Sequence, residues 1–164
     1  MLAVSLLFVG ITLISNGALI LQKSDVKSIA MMNVITAIVL VGGNFIQLDK
    51  AVTMMDYCNV GAGFLFGFTY VIITCNLLFN LDPRANGWFS GMVALFSIIM
   101  GISSMDMGTY NYAYLWFTWS VLWGSTFVEA ILKKPLGNFT PMLCIAEGIF
   151  CAFIPAMMMF FEVW

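Results

Sequence analysis

The chain has 164 residues, 62% of them hydrophobic and only 9% charged, with a net charge of -2. An ordinary soluble domain carries roughly 25% charged residues, so this chain has too little polar surface for a water-exposed fold. No basic cluster suited to nucleic acid is present and histidine is absent, which removes nucleic-acid binding, haem-type and His-metal sites, and the simplest near-neutral pH sensor.

Six apolar segments can be marked, at roughly 2–22, 28–48, 59–79, 86–104, 111–133 and 140–161. Each is near the ~20 residues that a helix needs to cross a bilayer. The connections are short, so residues 1–164 read as one domain. The expected fold is an all-α membrane protein, a six-transmembrane-helix bundle of three helical hairpins. The first segment, Leu2 to Leu21, has no basic stretch ahead of it. It reads as a retained membrane helix and not as a secretory signal.

Basic residues set the expected orientation. Lys23, Lys27, Arg84, Lys133 and Lys134 follow segments one, three and five, and only Lys50 falls on the other side. The first group is therefore assigned to the cytoplasm and both termini to the outside. Asp49, Asp56 and Asp106 lie in the outer loops.

Local chemistry marks several boundaries. Asp82-Pro83 closes the third segment, because the residue before a proline is pushed out of the helical region. Thr140-Pro141 reads as an N-cap followed by proline at the first helical position. Pro155 lies inside the sixth segment and is expected to kink it. Each odd segment carries a polar residue shortly before its cytoplasmic end: Asn16, Asn76 and Glu129. This suggests an internal repeat of three similar hairpins. Gly42 and Gly43, and Gly61, Gly63 and Gly67, are expected to permit close helix packing. Cys58, Cys75, Cys144 and Cys151 form no C-x-x-C pair and read as small apolar residues.

The fifth and sixth segments carry the candidate chemistry. Trp116, Trp119 and Trp123 recur at i, i+3 and i+7 and so share one helix face. Glu147 lies well inside the sixth segment, at a depth similar to Trp123. A carboxylate there is costly and usually faces a protein interior or a water path. These residues are expected to meet around a narrow pore. Phe66 and Tyr70 are i, i+4 neighbours, a spacing that packing alone also explains. Glu129, four residues before Lys133, reads as one half of an i, i+4 ion pair. No nucleophile with a base, metal-ligand cluster or phosphate-binding loop is present. An enzyme is not expected, and neither a metal nor a cofactor.

These residues also carry a resemblance. Ile14-Ser15-Asn16-Gly17, Leu65-Phe66-Gly67-Phe68-Thr69-Tyr70, Val121-Leu122-Trp123 and Leu136-Gly137-Asn138-Phe139-Thr140-Pro141, running into Glu147-Gly148, resemble the UreI/AmiS family. That family comprises the urease-associated urea channels and their amide-transporter relatives. The resemblance implies a homohexamer in the bacterial cytoplasmic membrane, surrounded by lipid, with a pore for urea in each protomer. It implies an outer constriction at Leu2, Leu6, Trp116 and Trp119, and an inner one at Leu13, Phe66, Tyr70, Leu122 and Trp123. Glu147 would orient the solute between them. Acid-gated members have longer, His-rich outer loops, so this chain is expected to stay open independently of pH. Water is a further expected solute, and urease a possible partner at the cytoplasmic face. Two alternatives stand beside this reading: a channel for short aliphatic amides serving an amidase, and a membrane scaffold that docks a cytoplasmic enzyme.

Overall fold

The structure, a computed structural model, describes all residues from Met1 to Trp164. It is entirely helical: α1 (Leu2–Leu21), α2 (Val26–Leu48), α3 (Met54–Phe79), α4 (Arg84–Asp106), α5 (Tyr110–Ala130), α6 (Phe139–Glu147), a π-helical stretch (Gly148–Phe153) and α7 (Ile154–Phe160). The last three elements run on as one rod. Five stretches are long and apolar enough to cross a membrane: α1, α2, α3, α4 and the rod Phe139–Phe160. The chain is an integral membrane protein. α5 is of comparable length but is not among the five, because tryptophan, tyrosine, serine and threonine replace aliphatic residues along it.

Capping chemistry explains where the helices begin. Asp25 caps α2, its carboxylate accepting from the backbone N–H groups of Lys27 (2.9 Å) and Ser28 (3.1 Å). At α3 the Thr53 hydroxyl accepts from the Asp56 N–H, and the Asp56 carboxylate accepts from the Thr53 N–H. This reciprocal pair satisfies orphan donors of the first turn and starts α3 five residues before the expected boundary. α3 ends at Asn80, whose left-handed backbone (φ 51°) turns the chain towards Pro83 and α4.

The helices pair closely as α2 with α3, α4 with α5, and α1 with the final rod. The expected three hairpins thus take a shifted form, and the third closes the ring by joining the two ends of the chain. Small residues set this pattern. A Cβ on Gly10 would lie 2.7 Å from the Phe153 backbone nitrogen, and one on Gly148 would lie 2.9 Å from the Ile14 nitrogen. α1 and the final rod therefore touch backbone to backbone, the contact that small residues permit in lipid. Gly67 approaches Val41 of α2, whereas Gly42 and Gly61 meet nothing within 4 Å, so those two do not serve packing within the chain. α1 and α2 are joined by polar pairs: Asn16 and Asn33 exchange two amide hydrogen bonds of 3.0 Å, and the hydroxyls of Thr12 and Thr36 lie 2.6 Å apart.

Around the final rod the structure adds one feature and corrects two expectations. Pro155 stands two residues after a π-helical stretch that ends at Phe153. Its missing N–H is absorbed by the preceding π-helical stretch, which widens the helix by one residue per turn before α7 resumes. Thr140 is not an N-cap, since α6 already begins at Phe139. Its hydroxyl instead donates to Glu129 (3.0 Å), which also accepts from the Leu136 N–H (3.2 Å). Glu129 therefore clasps the loop into α6 and forms no ion pair with Lys133; the one salt bridge joins Arg84 to Asp82. The three polar residues of the suggested repeat have unlike partners: Asn16 binds Asn33, Glu129 binds the loop, and Asn76 makes no side-chain hydrogen bond.

Candidate functional site

Two cavities lie along the interior of the helical ring. One opens at the end that holds both chain termini and has a volume of about 400 Å³. The other opens at the end that carries Lys23, Lys27, Arg84, Lys133 and Lys134, called the basic end below, and has a volume of about 220 Å³. Residues 2 to 9 of α1 line the first and residues 9 to 20 line the second. The cavities are thus stacked along one axis.

Val9, Phe66 and Trp119 line both cavities and form the wall between them. Phe66 is the centre of that wall. Its ring stands edge-on to Trp119 at 4.7 Å, to Trp123 at 4.6 Å and to Trp116 at 6.0 Å. Trp116 and Trp119 are themselves edge-on at 5.3 Å. Each such pair stabilises by about 0.5–1.5 kcal/mol beyond simple burial, so the wall is held in one arrangement. The i, i+3, i+7 face of α5 supplies the indoles. α3 supplies Phe66, and Gly67 beside it lets α3 settle against Leu40 and Val41 of α2.

Nine of the ten predicted pore residues line these cavities. Leu2, Leu6, Trp116 and Trp119 line the cavity at the termini end. Leu13, Tyr70, Leu122 and Trp123 line the one at the basic end, together with Phe66 and Trp119 of the shared wall. Nothing in the sequence distinguishes Val9, which lines both cavities, from the other aliphatic residues of α1.

Glu147 is placed differently and lines neither cavity. It is 3% exposed, and neither carboxylate oxygen has a hydrogen-bond partner. Its depth follows from its neighbour Gly148, which packs against Gly10 and Ile14. Glu147 thus sits close to the level of Val9. One turn towards the basic end on the same face is Cys144, which lines the smaller cavity. Trp119 Nε1 is likewise buried without a partner, whereas Trp123 Nε1 donates to Thr69 Oγ1 at 3.3 Å. Around the wall, Trp119 Nε1 is thus a buried donor without a partner, and the sealed carboxyl of Glu147, outside both cavities, holds two oxygens without one. Unpaired polar groups in such surroundings are costly, and a small solute with both donors and acceptors offsets that cost.

A family model described as "AmiS/UreI family transporter" matches residues 1–163. The chain belongs to this family. The acid-activated urea channel of Helicobacter pylori is 36% identical over 198 residues, covering the whole of both chains. That span exceeds the 164 residues present here, so the relative has residues for which this family member has no counterpart. The crystal structure of the urea channel from the same pathogen superposes with a TM-score of 0.92 at 39% identity, covering 100% of this chain and 99% of the other. The putative transporter protein AmiS2 of Rhodococcus erythropolis is 28% identical over 84% of this chain and 68% of its own length. Membership in a transporter family points away from an enzyme.

Proposed function

We propose that this protein is a passive urea channel in a bacterial cytoplasmic membrane. Residues 1–164 form one channel domain in which α5 crosses the bilayer beside the five more apolar rods. The basic end faces the cytoplasm and both termini face outward. A homohexamer gives each protomer its own pore, in line with the family resemblance, and the apolar outer faces meet lipid or neighbouring protomers. The channel supplies urea to a cytoplasmic urease.

The observation that carries this reading is the stacked pair of cavities closed by the Val9–Phe66–Trp119 wall, with unpartnered polar groups near that wall. Urea is planar and neutral. It meets flat aromatic and leucine surfaces, at Leu2, Leu6, Trp116 and Trp119 on one side and at Leu13, Tyr70, Leu122 and Trp123 on the other. Near the wall, Trp119 Nε1 is a donor for its carbonyl, and Glu147 is an acceptor for its N–H groups. Hydrated ions find no replacement shell in such a constriction. Water passes with the solute. The absence of histidine and the shorter length relative to an acid-activated relative support a pore that stays open across pH.

The test is urea flux through purified protein in liposomes, comparing wild type with Glu147→Gln and Trp123→Ala. Both variants are expected to assemble normally and to lose urea flux. Unchanged flux in correctly assembled variants removes these residues from the mechanism.

A second reading, a channel for short aliphatic amides, is favoured by the likeness to AmiS2 and to the putative amidate substrates transporter protein of Mycolicibacterium smegmatis, 27% identical over 98% of this chain. Competition of urea flux by acetamide separates the two. Strong inhibition assigns the pore to amides as well.

A further inference from the structure

The cavity at the termini end contains a side chain that the pore description above does not use. Asn44 on α2 is 3% exposed, yet it lines this cavity. Its Nδ2 donates to the Leu40 carbonyl at 2.7 Å, which fixes the orientation of the amide. Its Oδ1 accepts no hydrogen bond from the protein and is not sealed from the cavity. The amide lies directly over Gly63 of α3, which lines the same cavity. A Cβ on Gly63 would come within 2.0 Å of Asn44 Oδ1 and 2.5 Å of its Cγ. The glycine therefore makes the seat in which the amide rests. Gly63 precedes Phe66 by three residues, close to one helical turn of about 5.4 Å. The carbonyl is thus held about one turn before the wall, on the side of the termini.

We infer that Asn44, seated on Gly63, is a solute-binding station that accepts a hydrogen bond from an N–H group of urea or a primary amide before it reaches the aromatic wall. This assignment rests on the channel reading above and adds the chemistry that recognises the solute. A solute leaving bulk water exchanges one water contact for a fixed acceptor, so its desolvation proceeds in steps. Water can use the same oxygen but does not depend on it, because other water molecules in the larger cavity serve as its partners. The station therefore favours solutes with N–H donors over water.

The experiment is stopped-flow permeability of proteoliposomes to urea and to water, for wild type, Asn44→Leu and Gly63→Ala. Leucine keeps the heavy-atom count and branching of asparagine, with somewhat more bulk, and removes the acceptor together with the donor to Leu40. Alanine at position 63 keeps Asn44 and displaces it from its seat. In both variants urea permeability is expected to fall about tenfold, the factor equivalent to ~1.4 kcal/mol and near the upper scale of one hydrogen bond's net contribution. Water permeability is expected to change by less than about twofold. The inference is overturned by urea permeability at the wild-type level in either assembled variant, or by urea and water falling in the same proportion. Wild-type protein that passes no urea contradicts the channel reading itself, a result distinct from either.

Discussion

The ring of Phe66 stands edge-on to the indole of Trp119, with centroids 4.7 Å apart, and this contact divides the interior into two cavities. The two residues come from α3 and α5, helices separated in sequence by the whole of α4. The wall therefore exists only when the helical ring is closed.

Phe66→Ala should merge the cavities. Large-to-small changes of this kind cost about 3–5 kcal/mol when the side chain is buried, and Phe66 is only partly buried, so the effect on stability should fall below that range. The effect on selectivity should be larger. The ratio of urea to N,N′-dimethylurea permeability is expected to fall about tenfold, or ~1.4 kcal/mol of discrimination. A ratio equal to that of wild type would place the size filter elsewhere.

Glu129 holds the segment between α5 and α6 through the Leu136 N–H and the Thr140 hydroxyl. Glu129→Ala leaves the Leu136 donor without a partner, a loss of about 1–3 kcal/mol where the group stays buried. Amide exchange across residues 131–138 should quicken in this variant and not in Lys133→Ala. Equal quickening in both would restore the ion pair that the sequence suggested.

Gly10→Ala forces a Cβ against the Phe153 nitrogen and the Gly148 carbonyl. Overpacking against backbone typically costs about 1–3 kcal/mol. Thermal unfolding in detergent should show a lower midpoint. Gly42→Ala, where the added methyl meets nothing within 4 Å, should match wild type or exceed it slightly. Similar losses in both would mean that Gly42 is covered by another chain.

The loop carboxylates predict the acid limit of the fold. The Arg84 side chain hydrogen-bonded to Asp82 pushes this carboxyl down to about 2 from its ordinary 3.8. The Ser28 hydroxyl and N–H groups lower Asp25 in the same direction. A carboxyl depressed by folding contributes stability that is fully present above its unfolded value and is lost as pH falls through its folded value. The decline should therefore begin only below about pH 4. Both residues are exposed, so the amplitude should be small. Thermal midpoints at about pH 5 and about pH 7.5 should agree as far as these two carboxyls are concerned. A midpoint that drops between them would require a further titrating group.

Much of this architecture is legible in the chain. Apolar length marks every rod, and the i, i+3, i+7 spacing of Trp116, Trp119 and Trp123 places the three indoles on one face. The helix pairing is less legible. It depends on Gly10 and Gly148, whose close approach cannot be read from either residue alone. The role of Glu129 is hidden in the sequence because its partners, Leu136 and Thr140, lie beyond a turn, whereas Lys133 lies at the obvious spacing. Asn44 is hidden for a similar reason. An asparagine in an apolar helix acquires meaning only when Gly63 of the neighbouring helix is set beneath it.

The most direct measurement is protein-dependent urea uptake into proteoliposomes at about pH 5 and about pH 7.5, a range that brackets the ordinary titration of histidine near 6.5. A channel without histidine is predicted to give equal uptake at both values, above that of empty liposomes. Uptake at the lower value only would contradict a constitutively open pore and direct attention to the outer carboxylates Asp49, Asp56 and Asp106. No uptake at either value, in correctly assembled protein, would contradict urea as the solute.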